Sequence, residues 1–476
     1  MSGLPPRVVV VGAGPAGVRA ALSAARGGAR VVLADSGERI GGQYHRQPAV
    51  GAGSRRAHPL ERAVIAQPRI EHLARAAVCA LEPGPHTGSH LVHLQQGPAD
   101  AAGLPVRTLL ADALVLCTGA YDRALPFPGW DLPGVVTAGA AQALAKGQRL
   151  AVGRRVVLSG TGPFLLPVAT SLLGAGARVL GVYEAGTPAR WLRRPLVALF
   201  DGGPVRMAEL AAYTVELARH RVPYRTRRAV VAAHGDGRVE AVTVARLDAH
   251  WRIVPGSERI VAPVDAVCVG YGFTPQLELP LAAGCAVQDG HVVVDARQAT
   301  SVPGVYAAGE LTGIGGAAAA AAEGELAGLA AASDVTGGSG PVRAAAAAAR
   351  VRSGRRFAAA LASAHPLRDG WSTWLSEDTC VCRCEEVTYG QLCEAVLGRG
   401  ADGMRAVKLT CRAGLGACQG RVCGRNAADL AAGLLGHPPA DPLAVDRRPL
   451  AHPVRLADLA GASGPAGDEP EPPPVD

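Results

Sequence analysis

The sequence predicts an α/β protein with two βαβ units, followed by a small cysteine-rich domain. Valine-rich runs near residues 7 and 155 are each followed by a glycine-rich turn and an apolar, helix-like stretch. Seven of the eleven cysteines lie between residues 380 and 423. A chain of 476 residues has room for about three domains, which agrees with two units and an added module.

The amino-acid composition excludes several classes of protein. Apolar residues make up 49% of the chain and charged residues 18%, which excludes a mainly disordered chain. The cysteines are too sparse for a secreted disulfide scaffold, and no apolar stretch approaches the length of a membrane-spanning helix. The first residues, MSGLPP, do not read as a signal peptide, so a cytoplasmic location is expected. The net charge is +8, but the arginines are scattered and aromatics make up only 4%, so no nucleic-acid partner is expected.

The first βαβ unit carries a GxGxxG turn between a strand at residues 7–11 and an alanine-rich helix. In such a turn Gly12 permits the tight bend, Gly14 lets backbone amides approach a pyrophosphate, and Gly17 lets the helix pack against the sheet. Asp35 ends the second strand, 23 residues after Gly12, where it can accept hydrogen bonds from ribose hydroxyls. This context predicts a dinucleotide site rather than an incidental turn.

Three later segments indicate which dinucleotide binds. Gly41-Gly42-Gln43 follow Asp35, Cys117-Thr118-Gly119 end a strand-like run, and residues 300–310 read TSVPGVYAAGE. Together they resemble the motifs of FAD-binding oxidoreductases of the two-dinucleotide-domain, glutathione-reductase-like type, over about residues 7–330. The resemblance implies FAD, with Glu310 where that family has Asp. It assigns to FAD the residues Gly12, Gly14, Pro15, Ala16, Gly17, Asp35, Ser36, Gly41, Gly42, Gln43, Thr118, Gly119, Gly309, Glu310, Gly316 and Ala317.

The second glycine-rich turn lies where such enzymes bind NAD(P)H, but it is incomplete. Leu165 replaces the third glycine and obstructs close packing of the helix on the strand. Glu184 stands 24 residues after Gly160 and remains available for a ribose. Two interpretations stay open: a working nucleotide site, or a retained fold whose ligand is lost or changed, including an adenine nucleotide held without hydride transfer. Before residue 380 no two cysteines are paired in sequence, so disulfide exchange is not expected.

The cysteine-rich segment combines C-x-C at Cys382 and Cys384 with C-x4-C at Cys418 and Cys423. Clustered cysteines in a cytosolic chain usually bind metal, and zinc favours C-x2-C pairs instead. CRCEEV followed by RAGLGACQGRVC resembles the BFD-like (bacterioferritin-associated ferredoxin-like) 2Fe-2S domain. The resemblance implies that these four cysteines are the cluster ligands. Cys380 offers a second C-x-C register, and zinc or inert thiols remain the alternatives.

These patterns predict a domain order. The FAD-binding domain is discontinuous, and the later segments form a linker, a module and an extension. The predicted ranges are 1–145 with 263–335 (FAD-binding), 146–262 (NAD(P)-binding-like), 336–375 (helical linker), 376–432 (BFD-like 2Fe-2S) and 433–476 (C-terminal extension, disordered from about residue 464).

The combination resembles the FAD-containing, alpha-type subunits of heteromeric amino-acid and opine dehydrogenases, over about residues 5–460. Opine oxidase, D-hydroxyproline dehydrogenase and hydrogen cyanide synthase belong to that group. There the substrate is oxidised on a separate, D-amino-acid-oxidase-like FAD beta subunit. In that group a small third subunit can be present, and an FMN commonly lies at the interface. The resemblance implies an electron-transfer role, in the cytoplasm or peripherally at the inner membrane through the electron acceptor.

The residues themselves agree with this interpretation. A flavin accepts two electrons and releases them singly, and an iron–sulfur cluster takes one at a time. No constellation of His, Glu and Tyr identifies a catalytic base, so the catalytic residues are not assigned. Two other hypotheses remain open: a self-sufficient NAD(P)H:acceptor oxidoreductase, and a non-catalytic iron–sulfur sensor or scaffold.

Overall fold

A computed structural model describes residues 5–48, 58–99, 101–187, 203–338, 341–438, 445, 447–448 and 450–460. The tail from residue 464, predicted to be disordered, lies outside these ranges. Within them, no helix combines the length and the apolar character needed to cross a bilayer.

We define the first unit as residues 5–122 and 278–336. The chain begins with the larger of these two parts. Parallel strands β1, β2 and β7 are buried, as expected for a sheet covered on both faces. β4, β5 and β6 form a separate antiparallel sheet. The elements of this part are β1 Arg7–Val11, α1 Pro15–Arg26, β2 Arg30–Ala34, α2 Pro59–Ile65, β3 Ile70–Leu73, β4 Ala76–Pro83, β5 His90–Gln96, β6 Val106–Ala111, β7 Ala113–Leu116 and β8 Ala120–Asp122.

The second unit, residues 135–275, repeats this plan. Its elements are β9 Val135–Thr137, α3 Ala138–Gln148, β10 Arg155–Gly160, α4 Leu165–Gly174, β11 Arg178–Glu184, α5 Gly203–Arg219, β12 Tyr224–Thr226, β13 Arg228–His234, β14 Ala241–Arg246, β15 Arg259–Val261, β16 Ala266–Gly270 and β17 Phe273–Pro275. The parallel strands lie in the order β12-β11-β10-β16-β9. β13, β14 and β15 form an antiparallel sheet, as β4 to β6 do in the first unit.

The chain then returns to the first unit. This part contains α6 Glu278–Ala282, β18 Val287–Gln288, β19 His291–Val292, β20 Val305–Ala307 and α7 Ala317–Thr336. β20 pairs in parallel with β7 and completes the strand order β20-β7-β1-β2-β3. α7 lies directly on α1, because a Cβ at Gly324 would stand 2.0 Å from the carbonyl oxygen of Ala16. Only glycine allows the two backbones to come this close.

The last part carries the cysteine module, which we define as residues 380–434. Its elements, with those on either side, are α8 Pro341–Ala364, β21 Cys380–Cys382, β22 Val387–Thr388, α9 Tyr389–Cys393, α10 Met404–Cys411, α11 Gly424–Leu434 and α12 Leu456–Ala460. The module shares one hydrophobic core with the second unit. The Trp130 indole N–H donates to the Cys380 carbonyl oxygen, and the Asn426 amide donates to the Ala124 carbonyl oxygen.

Candidate functional site

The first glycine-rich turn opens onto a cleft of about 1700 Å³, which we call the main cleft. Gly12 has a φ of +101°, and a Cβ there would lie 2.3 Å from the carbonyl oxygen of Cys117. A Cβ at Gly17 would lie 1.7 Å from the carbonyl oxygen of Gly12. Both positions therefore require glycine. The resulting close turn brings the start of α1, at Pro15, to the cleft, where free backbone amides and the helix dipole favour a phosphate group.

Asp35 lies at the end of β2 and borders the main cleft. Its carboxylate accepts hydrogen bonds from the backbone amides of Ala13 (2.5 Å) and Gly37 (2.6 Å). The side chain stays partly exposed, so its remaining lone pairs face the cleft. This is the geometry that a ribose-binding acid requires.

The main cleft gathers all but two of the residues that the sequence motifs assign to FAD. Those on its surface are Gly12, Gly14, Pro15, Ala16, Asp35, Ser36, Gly42, Gln43, Thr118, Gly119, Gly309, Glu310, Gly316 and Ala317. Among the described residues, Gly17 and Gly41 lie behind this surface. Gly17 packs on the turn, and the Gly41 amide donates to the carbonyl oxygen of Ala13 at 2.9 Å. These two glycines shape the turn from behind.

Two acids near the middle of the main cleft influence each other. Burial and the charge of Asp122 raise the pKa of Glu310 to about 7. Burial also raises the pKa of Asp122, although the Gly139 amide donates to it at 2.9 Å. Asp122 was not among the residues expected from the sequence, although it follows the Thr118-Gly119 motif by only a few residues. Glu323 of α7 accepts the Gly309 amide at 2.9 Å and so holds the last motif in place.

The second glycine-rich turn differs from the first in its geometry. α4 begins at Leu165, five residues after Gly160, whereas α1 begins three residues after Gly12. Leu165 is 1% exposed and belongs to the core of the second unit. The bulky side chain at the third glycine position is therefore accommodated by a later helix start and by burial.

Glu184 is the last residue of β11, whereas Asp35 directly follows the last residue of β2, and the exposure of Glu184 is 0%. It accepts hydrogen bonds from the Thr161 hydroxyl (2.7 Å) and from the amides of Gly162 and Gly186 (both 2.9 Å). Burial alone would raise the pKa of Glu184, but His365, Thr161 and the Gly186 amide outweigh it and hold the pKa below its usual value. From the sequence, Glu184 was expected to be available to a ribose, but in the structure its side chain is fully buried.

A smaller cavity of about 200 Å³, the cysteine cavity, lies between the cysteine module and the second unit. Cys382, Cys384, Cys418 and Cys423 all line it. Cys380 belongs to the same strand as Cys382, but among the described residues it is not part of the lining. The cavity thus gathers the same four cysteines that the sequence pattern selects.

Hydrogen bonds between these cysteines lower the pKa of two of the thiols and raise the pKa of a third. The Cys423 thiol, helped by backbone amides, lowers the pKa of Cys382 to about 6. It also lowers the pKa of Cys418 to about 4. The pKa of Cys423 itself is raised by the same contacts with Cys382 and Cys418. Two of the four sulfurs therefore favour the thiolate form, which is the form that binds metal.

In the part of the chain that the structure describes, no group of three or more His, Cys, Asp or Glu side chains forms a site for a metal ion. That result and the cysteine cavity are compatible, since a 2Fe-2S cluster spreads four thiolates over two irons rather than around one point. A Cβ at Gly416 would lie 2.2 Å from the Cβ of Cys384. The loop that carries Cys418 therefore lies directly on Cys384.

The main cleft and the cysteine cavity are neighbours. Thr137 and Val422 line both of them. Arg421, next to Val422, lines the main cleft and contacts the Glu278 carboxylate and the Tyr121 hydroxyl, each at 3.0 Å. The segment between Cys418 and Cys423 is thus anchored to the first unit at the point where the two cavities meet.

Residues 6–324 match the family model described as pyridine nucleotide-disulphide oxidoreductase. The chain belongs to this family. One of the subunits of opine oxidase from Agrobacterium tumefaciens (strain Ach5) is 33% identical over 474 residues, covering 95% of this chain and 91% of that protein. The HcnB subunit of hydrogen cyanide synthase from Pseudomonas aeruginosa is 33% identical over 440 residues, covering 88% and 90%. The crystal structure of L-proline dehydrogenase from P. horikoshii has a TM-score of 0.65 at 20% identity, covering 95% and 80%, which supports the fold alone.

Family membership confirms the predicted α/β, two-dinucleotide-domain architecture. The family domain implies FAD binding, and the chain is an FAD-dependent oxidoreductase, as predicted. The domain boundaries, the individual FAD contacts and the BFD-like 2Fe-2S domain stay predictions.

Proposed function

We propose that this chain is the FAD- and 2Fe-2S-containing, alpha-type subunit of a heteromeric dehydrogenase, and that it carries electrons rather than binding the substrate. The observation that supports this most strongly is the pair of adjoining cavities. One gathers the FAD motifs, the other gathers four cysteines, and Thr137 and Val422 line both. A thin wall between the two sites suits electron transfer between them.

The residues of the main cleft suit FAD. The amides at the start of α1 would bind its pyrophosphate, and Asp35 would bind its adenosine ribose. Cys382, Cys384, Cys418 and Cys423 would hold the cluster, because thiolates are the ligands that iron–sulfur clusters use. FAD would supply two-electron chemistry and the cluster one-electron chemistry.

The relatives support a place in a larger assembly. The opine oxidase and hydrogen cyanide synthase relatives are, by name, subunits. We propose that the partner is a D-amino-acid-oxidase-like FAD subunit, with an FMN at the shared interface and a small third subunit. That partner would oxidise an amino acid, an imino acid, an opine or glycine.

The cluster is tested by iron and acid-labile sulfide analysis of the full chain. The expected content is about two irons per chain. Cys418→Ser should lose most of this iron and the visible absorbance of the cluster, while retaining FAD. Cys380→Ser is the matched control and should keep both. Equal loss in the two variants, or zinc in place of iron, would refute the cluster assignment.

The electron donor is tested by anaerobic mixing of the FAD-loaded chain with NADH and then NADPH. Flavin absorbance at about 450 nm should persist with both nucleotides and should bleach with dithionite. Adding the partner subunit with its substrate should also bleach it. Rapid bleaching by NADH or NADPH alone would instead identify a self-sufficient NAD(P)H:acceptor oxidoreductase.

A further inference from the structure

The second glycine-rich turn retains most of the polar contacts of a nucleotide site. Asp35 accepts the amides of Ala13 and Gly37, and Glu184 accepts the amides of Gly162, one turn position further on, and of Gly186. Both acids therefore stand at a strand end and accept one amide from the turn and one from the residue two positions on. What separates them lies elsewhere in the chain.

A distant residue, His365, covers Glu184. Its Nδ1 lies 3.8 Å from a carboxylate oxygen of Glu184, and its side chain is 11% exposed. The Tyr224 hydroxyl donates to the other oxygen at 3.4 Å. His365 and Tyr224 line the main cleft, while Glu184 lies beneath them with an exposure of 0%. In a nucleotide site, ribose hydroxyls would approach the acid from this side.

The same histidine also lies above the second glycine of the turn. The imidazole Cγ lies 4.0 Å from the position that a Cβ at Gly162 would take. In dinucleotide-binding turns this glycine is bare so that the backbone can approach the pyrophosphate. His365 therefore occupies both the ribose position and the approach to the pyrophosphate.

The helix α8 holds His365 in place. The His365 amide donates to the carbonyl oxygen of Leu361 at 3.0 Å, so the residue continues the helical turn. Phe357, Leu361 and His365 are spaced four residues apart and line the main cleft from one face of the helix. α8 is fixed to the first unit, because the Arg355 guanidinium donates to Gln298 at 2.7 Å.

We infer that His365 is the residue that denies pyridine nucleotides access to the second glycine-rich turn. The turn keeps its acid and its first two glycines, and the side chain of His365, directly after α8, takes the place of the nucleotide. This inference concerns binding only and depends on neither the iron–sulfur cluster nor a partner subunit.

The test uses the FAD-loaded full chain and ADP-ribose, which carries the ribose and pyrophosphate of NADH but cannot transfer hydride. Binding is measured by isothermal titration calorimetry. His365→Ala should bind ADP-ribose at least about tenfold more tightly than the unchanged chain, since a charged acceptor becomes available to the ribose. Adding Glu184→Gln to that variant should remove most of the gain.

Two matched variants test whether binding improves because Glu184 is uncovered or only because the cleft becomes larger. Leu361→Ala enlarges the cleft from the same helix face and leaves His365 in place, and it should bind ADP-ribose no better than the wild-type chain. His365→Asn places an amide N–H near the position of Nδ1 and should preserve exclusion. FAD content and melting temperature report on folding, and His365→Ser replaces His365→Ala if the latter loses FAD. An unchanged affinity in the Ala or Ser variant, or an equal gain in Leu361→Ala, would overturn the inference.

Discussion

The two glycine-rich turns show how one structural plan yields two different sites. In both, an acid at the end of a strand accepts amides from the turn and from the residue two positions on. Asp35 borders the main cleft, whereas Glu184 is enclosed by Thr161, Tyr224 and His365. The amide hydrogen bonds of the two acids are therefore alike, and what differs between the two turns is the exposure of the acid to the cleft.

The largest expected effect comes from replacing the third glycine of the first turn, Gly17, with leucine, the residue found at that position in the second turn. Gly17→Leu would place a Cβ 1.7 Å from the carbonyl oxygen of Gly12, so α1 would have to move away from the sheet. We expect a destabilisation of about 3 kcal/mol or more and loss of FAD. Denaturant unfolding and the FAD content per chain measure both effects.

The reciprocal change, Leu165→Gly, is the control. It removes a buried side chain from the core of the second unit and should cost about 3 kcal/mol of stability, but it should leave FAD bound. If Gly17→Leu kept a full complement of FAD, the requirement for close packing at the first turn would be wrong.

A smaller effect distinguishes the two acids. Glu184→Ala leaves the buried donors of Thr161, Gly162 and Gly186 without their acceptor and should cost about 2 kcal/mol, with FAD content unchanged. Asp35→Ala should cost less stability because water reaches its donors, but it should weaken FAD binding about tenfold. FAD titration of the two apoproteins compares them, and weaker FAD binding in Glu184→Ala would contradict this division of roles.

The smallest expected effect is on pH dependence. Burial and Asp122 raise the pKa of Glu310 from 4.5 to about 7, so the folded chain binds a proton there that the unfolded chain has released. Stability from Glu310 is thus fully present below pH 4.5 and is lost progressively as the pH rises from there through about 7. Glu310→Gln should flatten the melting temperature over this range.

Glu184 behaves in the opposite way and provides the comparison. Its pKa is lowered in the folded chain, so its contribution is present above the usual pKa of 4.5 and disappears as the pH falls through the lowered value. Glu184→Gln should therefore lower the melting temperature at neutral pH more than in acid. The same pH profile for the two variants would show that their environments do not differ as described.

The sequence predicts the local parts of this molecule well. The glycine spacing, the strand-end acids and the four cysteines of the cavity are all visible in short segments, because backbone turns and strand ends are determined locally. The enclosure of Glu184 is not visible there, since Tyr224 and His365 reach it from distant positions through packing of the second unit and α8. Leucine at the third glycine position, Leu165, does indicate an altered turn, but it does not reveal which side chain covers Glu184.

The shared core of the cysteine module and the second unit has a mechanical consequence. Buried hydrogen bonds of Trp130 and Asn426 join the module to the segment that leads into the second unit, and residues of the module and the second unit pack into one apolar cluster. A module joined in this way moves with the body of the protein rather than swinging on a tether. Under the proposed function, the site from which electrons leave the module would therefore be stationary, and a redox partner would have to come to it.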